Sequence, residues 1–375
     1  MNDHTYSSQI NRQAKLATTL QAAGLDGLVL NPGPSLVYLT GLHFHLSERP
    51  VAVIFVPDEI PVIVLPELEL EKVKNLPYPI QAFPYGEDPA LWDVAFRKAV
   101  QATKMDGKHI GVEPRQLRLL EFRLLLNAAL DAEFVSADTS VARLRMFKDE
   151  SEISAMRKAA GIAQNALQAT LPQVKIGCSE RELAAELTLQ LLRAGCDSEV
   201  PFAPIVSGGP NAANPHATPS NRKLSAGDLL VIDWGASSEG YFSDITRTFA
   251  IGDPEPELKT ISSIVLEANA KGRTETRPGI PAEQVDQAAR KVIESAGYGK
   301  YFTHRTGHGL GMEGHEEPYI RAGNQMLLEP GMTFTIEPGI YLPGRNGVRI
   351  EDDVVVTTMG VETLTSLPRE VIQLV

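Results

Sequence analysis

Cysteine is nearly absent: Cys178 and Cys196 are the only two in 375 residues, and they form no Cys-x-x-Cys pair. That excludes a disulfide framework and a structural zinc–thiolate site, so any metal must be held by Asp, Glu and His. Long apolar runs are missing as well. Nowhere do about 18 consecutive apolar residues occur, so there is no membrane span to read. The segment from Met1 to Asn11 is polar with no apolar stretch behind it, so no signal peptide is legible and the chain reads as cytoplasmic. Basic clusters are lacking too, and a formal net charge of −12 would repel nucleic acid and anionic membrane surfaces at long range. What is present, 43% hydrophobic and 22% charged residues, is ordinary globular composition, and the length allows two domains.

The first part reads as alternating strands and helices. Strands are predicted at Gly27–Leu30, 51–56 and 61–65, with Pro57-Asp58-Glu59 as turn chemistry between the last two, and helices near 67–74, 90–101 and 117–129. A boundary falls near 143–148, dividing the chain into domains 1–142 and 143–375. The second begins with a capping box, Asp149 and Glu152, followed by Ile153, Met156, Ala160, Ala163 and Leu167 at helical spacing. A second box, Ser179 with Glu182, opens a helix whose Leu183, Leu187 and Leu191 form one stripe that Gly195 ends. Gly177 and Gly279 precede helices, and Ala194-Gly195 and Ala296-Gly297 end them, all at an offset of 102 positions. That regularity points to an internal duplication, each half continuing into a β-hairpin.

Chemistry concentrates in those hairpins. The first runs 229–234, turns around Ser238-Glu239, and returns along 241–249. A turn centred there sets Asp233 across from Asp244, with Cβ atoms about 5 Å apart. Two carboxylates so close repel unless a positive charge separates them, and Asp is depleted in strands and seldom buried alone. The second hairpin runs 333–341, turns through Pro343-Gly344-Arg345-Asn346-Gly347, and returns along 348–356, so that Glu337 faces Glu351 about Gly344. Between the hairpins lies Gly307-His308-Gly309-Leu310-Gly311, where backbone can approach a ligand while the imidazole points at it. No Lys-Ser/Thr follows and no GxGxxG is complete, so a phosphate loop is a weak reading; His-Glu-x-x-His, the mononuclear zinc signature, is absent. Four carboxylates and one imidazole suit divalent cations such as Mn²⁺, Co²⁺ or Zn²⁺.

Six segments in order carry a resemblance: Val231-Ile232-Asp233-Trp234-Gly235, Ser243-Asp244-Ile245-Thr246-Arg247-Thr248, Gly307-His308-Gly309-Leu310-Gly311, His315-Glu316-Glu317-Pro318, Thr335-Ile336-Glu337-Pro338-Gly339 and Gly347-Val348-Arg349-Ile350-Glu351-Asp352. Together they resemble the motif set of prolidases and aminopeptidases P, and Tyr38-Leu39-Thr40-Gly41 extends the likeness more loosely to the first domain. The resemblance implies an α/β creatinase-like N-terminal domain followed by an α+β pita-bread catalytic domain with internal pseudo-duplication. It implies two divalent ions per chain on Asp233, Asp244, His308, Glu337 and Glu351, with Asp244 and Glu351 bridging, water as nucleophile and Glu337 as general base. His216 and His315 are similar to imidazoles that steady the oxyanion or contact the proline side of the peptide. His304 is either a further substrate-binding imidazole or an ordinary hydrogen-bonded histidine. Arg349 would offset surplus carboxylate charge at the substrate site, and Tyr241 would either bond a ligand or belong to the core. Family members are commonly homodimers, which suggests a substrate-capping part for His43 or His45, clustered with Arg49.

The implied substrates are proline-containing peptides. Dipeptidases of the family often carry an arginine directly behind His-Glu-x-Pro; here Tyr319 stands there, with Arg321 two residues on. That departure favours a Xaa-Pro aminopeptidase over a Xaa-Pro dipeptidase (prolidase). A reading from another class, a catalytically silent peptide-binding module of the same fold, would require lost ligands, and all five are present.

Overall fold

Short apolar runs bounded by Gly and Pro become strands in the N-terminal unit, Met1–Arg145. The computed structural model describes residues 3–74, 76–198 and 200–375. Strands β1 (Gly27–Leu30), β2 (Ala52–Phe55), β3 (Val62–Pro66), β4 (Gln81–Tyr85), β5 (His109–Val112) and β6 (Glu133–Ser136) form one sheet in the order β4-β3-β2-β1-β5-β6. β2 pairs antiparallel with β1 and β3; the other pairings are parallel. The helices are α1 (Asp3–Ala22), α2 (Pro34–Thr40), α3 (Glu71–Lys74), α4 (Trp92–Thr103), α5 (Leu119–Ala128) and α6 (Asp138–Met146). Phe96, Ala99 and Leu125 of α4 and α5 pack on Val29, Ile54 and Val64 of the sheet. The helix expected over 67–74 is instead a tight turn, Glu67–Glu69, and the single turn α3. Strands β4 and β6 escaped the sequence reading because they are sheet edges, largely solvent-facing, and β4 carries a proline that an edge tolerates.

The second unit, Met146–Val375, is built from two like halves. The Asp149 carboxylate accepts from Ser151 N and Glu152 N while the Glu152 side chain accepts from Asp149 N, and α7 (Glu150–Thr170) starts on that box. Ser179 and Glu182 do the same for α8 (Glu180–Arg193). Their counterparts are α9 (Pro256–Glu275) and α10 (Ala282–Ser295). Both α8 and α10 have 14 residues, and each ends in a left-handed glycine, Gly195 at φ 97 and Gly297 at φ 85. The duplication seen in the sequence is thus a duplication of backbone.

Sheet strands complete each half. β7 (Ile205–Gly208), β8 (Leu229–Trp234), β9 (Ser237–Ser238), β10 (Tyr241–Phe242) and β11 (Ile245–Ala250) belong to the first. The second has β12 (Gly307–Gly309), β13 (Glu316–Ile320), β14 (Thr333–Ile336), β15 (Gly339–Leu342), β16 (Asn346–Arg349), β17 (Asp352–Thr357) and β18 (Gly360–Thr363), and the C-terminal β19 (Ile372–Gln373) adds to the first sheet. Leu167, Leu183, Leu187 and Leu191 pack against Val206, Leu230, Ile232 and Trp234, and the Trp234 indole N–H donates to Ala163 O at 2.8 Å. Burying each such leucine is worth about 1.5–3 kcal/mol, which fixes the helix pair on the sheet. In the other half Ile261, Val265, Ala289 and Ile293 meet Ile340, Val348 and Ile350. The halves join where Glu351 N donates to Thr246 O at 3.1 Å and Thr248 Oγ1 to Arg349 O at 2.8 Å.

Register decides which carboxylates meet. In the second hairpin Ile336 pairs with Asp352 and Gly339 with Arg349, so Glu337 and Glu351 sit opposite each other at the break between the two ladders, as expected. The first hairpin differs. Ser238 pairs with Tyr241 and Asp233 with Thr246, so Asp233 does not face Asp244. The cause is the turn: Glu239 at φ 56 and Gly240 at φ 80 are its two central residues, and left-handed geometry at both makes the two-residue turn that matches strand twist. Pairing shifts by two residues, an even number, so Asp233 and Asp244 keep the same face as diagonal neighbours.

Replacing Ser179 with Ala should lower the unfolding free energy by about 1 kcal/mol through loss of the α8 cap. It would be read as a lower urea midpoint at constant m; an unchanged midpoint would count against the cap.

Candidate active site

Backbone approach builds the floor of the site. A Cβ on Gly307 would meet Thr335 O at 1.8 Å and one on Gly309 would meet Glu317 O at 2.3 Å, so only glycine lets β12 lie this close to its neighbours. His308, between them, is buried. Its Nδ1 lies 3.1 Å from Gly309 O, and because a carbonyl only accepts, the proton sits on Nδ1 and Nε2 is left as a lone-pair donor. That nitrogen is 3.4 Å from Glu337 Oε1 and 3.7 Å from Asp244 Oδ2. Burial, and then His315, hold the imidazole pKa well below its ordinary value, so it is neutral.

Around it the carboxylates crowd. One ligand atom each from Asp244, His308 and Glu351 lie within 4.8 Å of one another. Burial, then Glu351 and Asp233, raise the Asp244 pKa; burial, then Glu337 and Asp233, raise that of Glu351. Burial pushes Glu337 up to about 8, although Arg349 pulls the other way. Asp233 gives Oδ2 to Arg349 Nη2 at 2.6 Å, while its buried Oδ1 has no hydrogen-bond partner among the described residues. An orphaned buried carboxylate oxygen, three carboxyls that repel each other's ionised forms and a lone-pair nitrogen form a donor set that fits hard-to-borderline divalent cations. The same five residues line one cavity of about 560 Å³.

The surrounding groups are ordered by single protons. Arg349, nearly buried, donates from Nη1 to Tyr341 Oη at 2.9 Å and to Pro215 O at 3.2 Å, and from Nε to Thr246 Oγ1 at 3.1 Å. Thr246 then donates to Glu351 Oε2 at 2.6 Å. Having accepted from Arg349, Tyr341 donates its own proton to His304 Nε2 at 2.8 Å, which leaves His304 Nδ1–H bonded to Arg305 O at 2.7 Å. Both His304 nitrogens are thus committed within the protein. Burial, then Arg349, lowers its pKa to about 4. His315 Nδ1 accepts from Arg305 Nη2 at 3.1 Å, so its proton is on Nε2, available as a donor; its ring is 3.9 Å from that of His308, centroid to centroid. Burial and Arg305 lower its pKa. His216 is exposed and lines the cavity, its loop pinned by Arg349 through Pro215 O.

Of the residues singled out in the sequence, Asp233, Asp244, His308, Glu337, Glu351, His216, His304, His315 and Arg349 all line this cavity. Tyr241 does not. It is buried in an apolar cluster and its hydroxyl donates to Glu152 Oε1 at 2.6 Å, because the turn at Glu239-Gly240 directs it onto the start of α7. Arg321 is exposed and bonds Ala322 O, away from the cavity. His43 and His45 are exposed in the N-terminal unit, where Arg49 pairs with Glu48 and Glu87. Three contributors went unnoticed: Thr246, Tyr341 and Arg305. Alternation marks the first two, since Thr246 lies two positions from Asp244 and Tyr341 four from Glu337; Arg305 precedes His308 by three in an irregular segment without periodicity.

This fold and site define a metallopeptidase. Residues 154–358 match Metallopeptidase family M24 and residues 12–147 match the Creatinase/Prolidase N-terminal domain, and the chain belongs to that family, with its pita-bread catalytic fold. Over 369 residues it is 41% identical to a probable dipeptidase PepE of Mycobacterium bovis, the match covering 96% of this chain and 95% of the relative. It resembles a prolidase from Thermococcus sibiricus with a TM-score of 0.91 at 36% identity, covering 97% of this chain and 98% of that one. An X-Pro aminopeptidase from Thermotoga maritima is similar with a TM-score of 0.82 at 33% identity, covering 95% and 99%. No helix among the described residues is long and apolar enough to cross a membrane.

The titrations make a prediction for the metal-free protein. Glu337, at about 8 in the folded chain against an ordinary 4.5, binds more protons folded than unfolded between those values, so its contribution to stability falls as pH rises through that window. The lowered histidines act oppositely: the unfolded imidazole is only half titrated at its ordinary value of about 6.5, so their effect is nearly complete by about pH 7.5. From about pH 7.5 to 8.5 the metal-free Tm should therefore fall, and Mn²⁺, which needs deprotonated ligands, should raise Tm more at about pH 8.5 than at about pH 7.5. Scanning fluorimetry with and without chelator checks it; a rising metal-free Tm over that range would contradict the assignment.

Proposed function

We propose that this chain is a Xaa-Pro dipeptidase that hydrolyses the peptide bond ahead of proline with two divalent cations held by Asp233, Asp244, His308, Glu337 and Glu351. The observation that carries the dipeptide preference is a guanidinium in the same cavity: Arg305, stacked at 4.3 Å on the Tyr319 ring. The sequence favoured an aminopeptidase because Tyr319 stands where dipeptidases often have arginine, with Arg321 as a substitute. Arg321 lies outside the cavity, whereas Arg305 supplies the planar cation that suits a free carboxylate. The names of similar proteins, a probable dipeptidase and a prolidase, support the same choice.

When bound, the cations would polarise the scissile carbonyl and bring a water within reach of deprotonation near neutrality. The protein's own groups divide the remaining work. Glu337, beside His308 and facing Glu351, accepts the water proton. His315, with Nε2–H as donor, and the exposed His216 steady charge on the carbonyl oxygen or the proline side. Pro201, Phe202, Ile205 and Pro215 give the cavity an apolar wall suited to a proline ring or an apolar neighbour. Arg349 keeps Asp233, Tyr341 and Thr246 in place and so orients the ligands from behind.

After loading with Mn²⁺ or Co²⁺, Ala-Pro should be hydrolysed with a kcat/KM at least about tenfold above that for Ala-Pro-Yaa peptides, a difference of ~1.4 kcal/mol. A preference for the longer peptides would restore the aminopeptidase, and no turnover of either would leave a binding module. Asp244→Ala should abolish hydrolysis while preserving the far-UV spectrum; wild-type rates there would remove Asp244 from the ligand set. For Arg305→Ala the expected change is a KM for Ala-Pro raised about tenfold, with a smaller loss in kcat because His315 loses the donor that orders its proton, and an unchanged KM would deny it the carboxylate.

A further inference from the structure

Arg305 sits on an irregular segment, 302–306, between the turn Gly299–Tyr301 and β12; backbone pairing reaches only its C-terminal side, where Thr306 N donates to Ile320 O at 3.0 Å and Thr306 O accepts from Glu337 N at 2.7 Å. Two side chains one helical turn apart on α10 reinforce that side and hold the other. Asp286, fully buried, accepts from Thr306 N at 3.1 Å and Thr306 Oγ1 at 2.8 Å. Arg290 pairs with both Asp286 oxygens at 3.0 Å and donates to Phe302 O at 3.2 Å and His304 O at 2.8 Å, its guanidinium lying 4.2 Å over the Phe302 ring. His304 O belongs to the peptide before Arg305, and Thr306 N to the peptide after it. The clamp therefore holds both peptide planes that flank the Arg305 Cα, and two fixed planes define that residue's φ and ψ. What remains free is the side chain, and the Tyr319 ring and His315 Nδ1 settle its end.

We propose that Asp286 and Arg290 are positioning residues that set the enzyme's preference for a free C-terminal carboxylate by holding the Arg305 backbone. The inference rests on the dipeptidase reading of Arg305. Neither residue lines the cavity, so their effect reaches substrate only through the segment they hold. The pair is mutually dependent: Asp286 Oδ1 and His304 O share one guanidinium nitrogen, so the carboxylate sets the plane in which Arg290 reaches the carbonyls. Lysine at 290 would keep the charge but, as a point donor, could not serve Asp286 and both carbonyls together.

The test compares Ala-Pro with Ala-Pro-amide, which lacks the carboxylate, the amide being followed as substrate or as competitor of Ala-Pro hydrolysis. In the metal-loaded enzyme, Arg290→Gln should raise KM for Ala-Pro about tenfold with kcat within about twofold, and leave the apparent affinity for the amide unaltered. Arg290→Lys should fall between, and it decides the matter if the Gln variant does not fold. Equal losses for both compounds, a fall in kcat for both, or no change overturns the clamp. Arg305→Ala in parallel separates the two levels. If that variant leaves the dipeptide-to-amide ratio unchanged, the carboxylate role of Arg305 fails; if it alone changes the ratio, only the role of Asp286 and Arg290 fails.

Discussion

Like-charge crowding governs this molecule. Asp233, Asp244, Glu337 and Glu351 converge on one neutral imidazole in a largely buried space, where ionised carboxylates are strongly disfavoured. Such an arrangement persists only if the surrounding fold is rigid enough to hold it and if positive charge arrives to relieve it. Arg349 offsets one carboxylate from behind, Thr246 satisfies another, and a buried oxygen of Asp233 is left without a hydrogen-bond partner among the described residues. The rest of the demand falls to the cations that the family's name describes.

Rigidity comes from the duplication. Each half contributes a helix pair and strands, and neither half alone assembles the proposed ligand set: Asp233 and Asp244 come from the first, His308, Glu337 and Glu351 from the second. The seam between them is hydrogen-bonded backbone and side chain at Thr246, Thr248, Arg349 and Glu351. Beside the seam, buried Asp352 is bonded by Arg247, Arg369, Asn269 and Thr365, which ties the strand after Glu351 to the first half and to the C-terminal segment. An active site shared between two packed halves is preorganised by their packing, and the histidine-bearing loops are then added around it on specific polar anchors.

Much of this was legible in the residues. Capping boxes at Asp149 and Ser179 announced two helices because their chemistry is local, and glycine spacing revealed the repeat because left-handed helix ends need that residue. The Glu337–Glu351 register was readable from a hairpin whose turn was identified correctly. The Asp233–Asp244 pairing was not, since a two-residue turn at Glu239-Gly240 and a turn one residue earlier look alike until backbone angles are known. Tyr241, read from the sequence as either a ligand partner or a core residue, is core, with its hydroxyl on Glu152 at the start of α7.

Composition, motif order and local periodicity were enough to indicate two domains, a repeated catalytic architecture and a carboxylate-rich cluster suited to divalent metal, because those depend on residue types and short-range spacing. Substrate selection depends on more distant coincidences. Arg305 lines the cavity and Arg321 does not, and the backbone on either side of Arg305 is bonded by Asp286 and Arg290 from a helix upstream, while His304 is spent on Tyr341 and a neighbouring carbonyl because a strand is brought alongside it. Contacts of that kind arise only when separate elements pack, so they leave no pattern along the chain.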